Sequence, residues 1–452
     1  METTERDTIA ALATAPGGAV SILRLSGPDA DAIAARLWTP VVRGDLAHQP
    51  PRHLALGTLR DADGALLDAE CLAVRMPAPH SYTGEHIVEL HCHGGALCAR
   101  LALQALQAAG CRLAEPGEFT RRAFLHGRLD LTQAEAVADV IGARSAAALR
   151  VAGQQLRGRL GEEANRLYET LADVLAEVES HLDFPEEELE LDWRPVTELA
   201  SAVTAVRESV ARLLSTRRAG EVLRGGLRLA VCGCPNVGKS SLLNRLLGRD
   251  RAIVTDIPGT TRDTLEEQLD VRGVPVRVID TAGIRETADV IERSGMERAR
   301  LSAQSADVIV WLFDLTRPYA AQSWPGWEVT GEVLLVGNKL DACTASSPEP
   351  PPETLRLSVQ TGEGLDGLLD AVERLSGVAD TTGEIAVAAR HAALLSEASE
   401  ALSPVGELLE GGQWELAALE LRRAVQALGR MVGREVEPDV LETIFHRFCI
   451  GK

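Results

Sequence analysis

The sequence predicts an α/β plus α protein: an N-terminal α/β domain, a helical-bundle domain, and a second α/β domain inserted into the helical one. Three observations carry that prediction. Strand-like runs punctuated by Gly and Pro fill residues 1–118. An apolar strand, a Gly-rich loop and a helix-like run follow one another across 227–247. Ala- and Leu-rich helical patterns flank that second α/β stretch on both sides.

In the first part, Val20-Ser21-Ile22-Leu23-Arg24-Leu25, Cys71-Leu72-Ala73-Val74-Arg75-Met76 and Ile87-Val88-Glu89-Leu90-His91-Cys92 read as strands, and 96–109 reads as a helix. Residues 119–218 supply the first part of the helical domain. A helix is expected from Leu131, opened by the capping box Thr132-Gln133-Ala134-Glu135. The apolar stripe from Val137, Val140 and Ile141 through Leu156, Leu160, Leu167, Leu171, Val174 and Val178 predicts one long element. Asp183-Phe184-Pro185-Glu186-Glu187-Glu188 breaks it, and a further helix is expected over 194–217. The inserted domain takes 219–377, and 378–452 returns to the helical domain and ends in Cys449-Ile450-Gly451-Lys452. Within the insert, Asp341 to Thr354 is rich in Pro and Ser and reads as a surface loop.

Four motifs of the insert carry chemistry. Gly233-Cys234-Pro235-Asn236-Val237-Gly238-Lys239-Ser240 is a phosphate loop: its glycines let backbone N–H groups curl around phosphates, Lys239 reaches the β/γ oxygens and Ser240 can bind Mg²⁺. Asp280-Thr281-Ala282-Gly283 ends the apolar run Val276–Ile279, where a carboxylate can hold the metal's water shell. Asn338-Lys339-Leu340-Asp341 ends another strand. A carboxylate such as that of Asp341 only accepts hydrogen bonds, which suits the donor edge of guanine and mismatches adenine. Gly259-Thr260-Thr261-Arg262-Asp263 falls between, where a switch segment with a second Mg²⁺-binding hydroxyl belongs. Motifs in this order at these spacings predict GTP binding.

Composition narrows the rest. A chain of 452 residues is too long for one ordinary domain. A net charge of −20 argues against broad nonspecific nucleic-acid binding, and 3% aromatic residues leave few platforms for stacked bases. Eight cysteines without paired Cys-x-x-Cys spacing fit reduced thiols. No apolar run is long enough to span a membrane and no signal-peptide pattern opens the chain, so a soluble, cytoplasmic protein is expected.

In many small GTPases a glutamine after the switch-II glycine positions the attacking water. Here Ile284 stands there and cannot hydrogen-bond through its side chain. Glu286, Asp289 and Glu292 follow closely, and spacing does not choose among them. Asn236 admits two readings, a monovalent-cation ligand beside the phosphates or a turn residue after Pro235.

The runs Asp256-Ile257-Pro258-Gly259-Thr260-Thr261-Arg262-Asp263, Asp280-Thr281-Ala282-Gly283-Ile284-Arg285-Glu286, Ser81-Tyr82-Thr83-Gly84-Glu85, His93-Gly94-Gly95, Pro116-Gly117-Glu118-Phe119-Thr120 and Phe448-Cys449-Ile450-Gly451-Lys452 together resemble the bacterial tRNA-modification GTPase family MnmE (TrmE) over essentially the whole length. The resemblance implies an N-terminal tetrahydrofolate-binding and dimerisation domain, a discontinuous helical domain and an inserted P-loop (Ras-like) GTPase domain. It implies a homodimer that joins an MnmG (GidA)-like partner, which uses FAD and NADH, in a hetero-oligomer. Together they would form a carboxymethylaminomethyl or aminomethyl group at C5 of the wobble uridine of certain tRNAs. The carbon would come from a 5-formyl- or methylene-tetrahydrofolate.

Carried over by position, Glu292 matches the carboxylate that orients the attacking water. Asn236, Thr255, Ile257 and Thr260 match the K⁺ ligands, and Ser240 and Thr261 those of Mg²⁺. GTP contacts fall on Asn236, Val237, Gly238, Lys239, Ser240 and Ser241, then on Thr255, Asp256, Ile257, Pro258, Gly259, Thr260 and Thr261. They continue on Asp280, Thr281, Ala282 and Gly283, on Asn338, Lys339, Leu340 and Asp341, and on Ser358, Val359 and Gln360. Folate contacts fall on Arg24, Glu89, Arg128 and Lys452, where cations suit the glutamate tail and a carboxylate suits the donor face of the pterin.

One departure is Ser358-Val359-Gln360, where Ser-Ala-Lys or Ser-Ala-Arg is usual: the long cation that stacks on the base is gone, which predicts weaker nucleotide affinity. His91 and His93 flank Cys92 without a partner cluster, a weak metal signature. Cys449 reads either as a nucleophile near the folate pocket or as a small buried residue. The rival reading is an RNA- or ribosome-binding assembly GTPase of the same superfamily. It needs a basic appendage that the acidic balance does not provide.

Overall fold

Side-chain alternation on short strands decides how the N-terminal part folds. The computed structural model describes residues 7–42, 44–183, 194–249, 267–279, 292–379, 385–446 and 448–452. The chain divides into two compact units, 1–138 with 429–452, and 139–428. Residues 119–138, assigned to the helical domain from sequence, and the last 24 residues therefore cluster with the N-terminal sheet.

Among the described residues that sheet has seven strands: β1 (Ile9–Leu12), β2 (Val20–Ser26), β3 (Trp38–Pro40), β4 (Ala55–Arg60), β5 (Leu66–Met76), β6 (Ile87–His93) and β7 (Arg112–Leu113), in the order β3-β4-β5-β6-β2-β1-β7. Leu23, Leu25, Ala73, Val88, Leu90 and Cys92 point to one face, where the small residues Ala102 and Ala105 let helix Ala96–Ala108 approach closely. On the other face Ile9 and Ala11 meet Phe119 of helix Glu118–Leu125. That period of two leaves Arg24 and Glu89 off the main core face. They stand directly opposite each other on the antiparallel pair β2–β6.

Helix Leu131–Gly142 is not opened by Thr132 and Glu135 as expected. Its capping box lies two residues earlier: Asp130 Oδ1 accepts from Gln133 N at 2.9 Å, and Gln133 Oε1 accepts from Asp130 N at 3.0 Å. The expected long element is three helices, Leu131–Gly142, Ala146–Leu156 and Arg159–Asp183. Ser145 caps the second by accepting from Ala148 N at 3.1 Å, and Gly158 at φ +92° separates it from the third. The stripe on the first is also displaced: Leu131 and Ala134 are buried, whereas Ile141 is 44% exposed. Leu131 and Ala134 pack on Leu441, Ile444 and Phe445 of helix Pro438–Phe445 and on Phe448. Beyond them Gly451, at φ +95°, runs so close to β1 that a Cβ would sit 2.4 Å from Leu12 O.

In the second unit a sheet of β8 (Leu227–Gly233), β9 (Glu267–Val271), β10 (Val274–Ile279), β11 (Val308–Asp314), β12 (Glu332–Asn338) and β13 (Leu355–Arg356) has the order β13-β12-β11-β8-β10-β9. Among its described strands only β9 runs antiparallel to its neighbour. β11 is buried at every position, as befits a strand covered on both faces. Helix Val196–Ser215 packs on Arg159–Asp183 and also on Ala389–Leu402 and Val405–Glu410. Helices from before and after the sheet thus share one bundle, which makes the helical domain discontinuous.

Candidate functional site

β8, β11, β12 and β13 are parallel and lie side by side, so the loops at their C-terminal ends converge, as ligand sites of open α/β sheets do. The phosphate loop leaves β8 and enters helix Lys239–Arg249, whose N-terminus suits an anion. Within the loop Asn236 is exposed at φ +63°, and Gly238 sits at φ +102°. A Cβ on Gly238 would lie 2.5 Å from Asn338 Nδ2, so this loop and the end of β12 need glycine to meet.

Asn338 is the clamp of the site. It is 4% exposed, donates Nδ2–H to Val237 O at 2.8 Å, and accepts from Val359 N at 3.0 Å. One amide side chain therefore binds the phosphate loop to the loop after β13. Buried Ser358 donates to Asp341 Oδ1 and accepts from Thr361 N at 3.1 Å. That orients Asp341, whose side chain is exposed. Leu340 N donates to Leu357 O at 3.1 Å and closes the same corner.

Lys239 Nζ donates to Gly233 O at 2.9 Å and to Cys234 O at 2.8 Å. Burial pulls its ammonium below the usual lysine range, against the opposing influence of Cys234 and Cys232. A phosphate supplies the negative charge that such a buried cation lacks. Lys339, at φ +69°, donates to Asp314 Oδ2 at 2.6 Å. Asp314 is 3% exposed and also accepts from Thr316 N and Oγ1. Burial would raise its carboxyl, but Lys339 and Thr316 outweigh that and hold it below the ordinary aspartate value. Gln360 is exposed; its carbonyl accepts from Arg245 Nη1 at 3.0 Å, and Thr361 O accepts from Arg245 Nη2 at 3.0 Å. Asp314 and Arg245 escaped notice in the sequence. The end of a fully apolar strand beside the phosphate-loop strand was the available signal for Asp314; Arg245 had none.

Thr255 to Thr261 and Asp280 to Gly283 lie outside the described residues, as do Glu286 and Asp289. Glu292 opens helix Glu292–Ser305, and its side chain lies outside the described residues too. Ser240 and Ser241 are exposed at the first turn of the phosphate-loop helix.

The second constellation belongs to the N-terminal unit. Arg24 Nε donates to Glu89 Oε1 at 2.8 Å, and His91 Nε2 lies 3.2 Å from Glu89 Oε2. The Arg24 guanidinium stands 5.7 Å from the centre of the Phe119 ring. Burial would raise the Glu89 carboxyl; His91 and Arg24 prevail and hold it below the usual glutamate value. Tyr82 OH bonds Thr120 Oγ1 at 2.9 Å, and burial raises its phenol. Arg128 is exposed and donates Nε–H to Ser81 O at 3.1 Å. A Cβ on Gly84 would meet Arg128 Cγ at 3.4 Å, so the 81–84 loop and the end of the 118–125 helix pack together. Lys452 is half-buried after Gly451. Arg24 and Glu89 thus touch, Arg128 joins their neighbourhood through the Ser81–Tyr82 loop, and among the described contacts none ties Lys452 to the pair. Arg128 also lines a cavity of about 640 Å³ with Phe124, Asp130, Gln133 and Arg434. His91, Tyr82 and Phe119 were not foreseen as neighbours of the pair, because strand register was needed to bring them together. Cys449 is exposed, which removes the reading of it as a small buried residue.

A family model described as the MnmE helical domain matches residues 131–449, and one described as the GTP-binding protein TrmE N-terminus matches 8–128. The chain belongs to the MnmE family of tRNA modification GTPases. The tRNA modification GTPase MnmE of Syntrophotalea carbinolica is 44% identical to it, with 99% of each chain covered. That of Chloroflexus aurantiacus is also 44% identical, over 99% of this chain and 100% of the relative. Among solved structures, the FeoB G-domain of Methanococcus jannaschii matches 33% of this chain and 97% of its own at 20% identity, with a TM-score of 0.25. Era of Aquifex aeolicus matches 33% of this chain and 56% of its own at 30% identity, also with a TM-score of 0.25. The match over 131–449 takes in the nucleotide corner, and the match over 8–128 takes in the Arg24–Glu89 pair. Among the described residues no helix is long and apolar enough to cross a membrane.

Proposed function

We propose that this GTP hydrolase of tRNA modification is potassium-activated and draws its one-carbon unit from tetrahydrofolate bound near Arg24 and Glu89. In that reading two copies pair through their N-terminal domains. They act with an MnmG-like, FAD-dependent protein to form a carboxymethylaminomethyl or aminomethyl group at C5 of the wobble uridine of certain tRNAs.

The observation that carries the reading is the Asn338 clamp, which holds the phosphate loop and the two base loops as one rigid corner. Lys239 would meet the β/γ-phosphates and Asp341 the guanine donors, while Ser240 and Thr261 would hold Mg²⁺. The exposed amide of Asn236 fits a cation that adds positive charge beside the phosphates, with Thr255, Ile257 and Thr260 as the further ligands. Glu292 would orient the water that attacks the γ-phosphorus, the part Ile284 cannot take.

For the folate, an ionised acceptor beside an aromatic ring and a guanidinium fits a pterin with N–H donors on one edge. Glu89 would accept those donors, Tyr82 would wall the ring, and Arg128 and Lys452 would meet the carboxylates of the glutamate tail. The bound derivative supplies the carbon at the formyl or methylene oxidation level.

GTP turnover in matched KCl and NaCl tests the nucleotide half. Turnover should rise at least about 10-fold in potassium and collapse in Glu292→Ala. Equal rates in both salts would overturn cation activation. Folate binding followed by fluorescence should weaken at least about 10-fold in Arg24→Ala with GTP turnover unchanged; undiminished binding would overturn the folate assignment.

A further inference from the structure

On the core face of the N-terminal sheet, away from Arg24 and Glu89, three groups unused by either reading meet. The carboxylate of Asp68 on β5 and the thiols of Cys92 on β6 and Cys98 in the first turn of helix Ala96–Ala108 all lie within 4.8 Å of one another. A tetrahedral site with metal–sulfur bonds of about 2.3 Å needs its ligand atoms about 3.5–4 Å apart, so small side-chain adjustments complete it. Asp68 is already aimed: its Oδ1 accepts from Glu70 N at 3.0 Å, its Oδ2 accepts from His93 N at 2.7 Å, and His93 Nδ1 lies 3.0 Å from Oδ1. A carboxylate so oriented keeps lone pairs for a cation, with His93 as its supporting partner.

An independent observation points the same way. Ser21 stands directly opposite Cys92 on β2–β6, is 1% exposed, and its hydroxyl has no hydrogen-bond partner. A buried hydroxyl without a partner costs free energy. The Cys92 thiol now donates to Ser21 O at 3.4 Å. Once Cys92 is a metal-bound thiolate that donation ends, and the sulfur becomes an acceptor for the orphan Ser21 hydroxyl.

We propose that Asp68, Cys92 and Cys98 form a binding site for a thiophilic divalent cation of the zinc type, braced by His93 and Ser21, with a non-protein ligand taking the fourth position. Binding forms two metal–sulfur bonds and one metal–oxygen bond, and the two thiol protons leave to solvent. The bound ion would pin β5, β6 and the start of the helix together at one corner.

The test is a titration of the chelator-stripped full chain with Co²⁺, followed by displacement with Zn²⁺. One Co²⁺ per chain should bind with a thiolate-to-cobalt charge-transfer band, which an oxygen-liganded Mg²⁺ site does not give. Cys92→Ser and the half-buried Cys98→Ser should each lose the band and weaken binding by about 100-fold, and Ser21→Ala by about 10-fold. The nucleotide-insensitive calorimetric transition, retained in all variants, reports that the N-terminal unit is folded. No band in the wild type, or a band that survives Cys98→Ser, overturns the site. A wild type two mass units lighter without reductant, with the band absent even after reduction, overturns it in favour of a Cys92–Cys98 disulfide.

Discussion

Asn338 illustrates what a single residue contributes and how it could be read beforehand. The sequence placed it in a guanine motif; the structure adds work on neighbouring backbone, where it satisfies a carbonyl of the phosphate loop and an N–H of the loop after β13. Removing it leaves both groups unpaired in a buried place, at a cost of about 1–3 kcal/mol. Asn338→Ala should therefore weaken GDP and GTP alike by about 10- to 100-fold in a fluorescent-nucleotide titration, while Gln360→Lys should tighten both modestly. Unchanged affinity in Asn338→Ala would show that the three loops hold together without it. Arg24 and Glu89 are the opposite case. Taken alone they are ordinary strand charges, and only the register of β2 on β6 joins them. Register is a long-range property that no local pattern prints.

Among elements, those with clear alternation and length were legible: β2, β5, β6 and the helix from Ala96 all lie where the apolar pattern put them. The edge strands β3 and β7 were not, because three residues including Pro40, or two residues, contain no period to read. The missed capping box has the same character: Asp130 and Gln133 satisfy the rule as well as Thr132 and Glu135, and tertiary packing chose between them.

Helix Glu118–Leu125 depends on a further device. Arg122, 7% exposed at its side chain, is paired with Asp7, Glu85 and Glu118, and Arg112 adds pairs to Asp7 and Glu118. Burial alone would raise the Glu118 and Asp7 carboxyls, but Arg112 and Arg122 outweigh it and both lie below their ordinary values. Groups depressed in this way contribute stability that is complete above the unfolded values of 4.5 and 3.8 and is lost as pH falls through the folded ones. Thermal melts from pH 7 to pH 3 should show the N-terminal unit weakening below about pH 4.5. Arg122→Met should lose about 3–5 kcal/mol at pH 7, since it takes the cation from the largely buried Glu85 carboxylate and leaves Asp7 and Glu118 with Arg112 alone, and should show a flatter acid limb. Parallel pH profiles in wild type and variant would refute the cluster as the origin of the acid limb.

At the scale of the molecule the least legible fact is that the C-terminal residues complete the N-terminal unit. Nothing local in Pro438–Phe448 announces Leu131 and Ala134 as partners more than 300 positions earlier in the chain. Two units with separate cores should unfold in two calorimetric steps. The unit of 139–428 contains the nucleotide corner, so GDP at about 100 times its Kd should stabilise that step by about 2.7 kcal/mol, a rise of about 5 °C, and leave the other in place. Deleting 429–452 removes Leu441, Ile444, Phe445 and Phe448 from the N-terminal core. Four large apolar side chains at about 1.5–3 kcal/mol each approach the whole stability of an ordinary domain. The truncated chain should therefore lose the nucleotide-insensitive transition and keep the GDP-shifted one. Loss of both steps would mean that the two cores are a single cooperative unit, and survival of both would mean that the N-terminal sheet stands without its C-terminal partner.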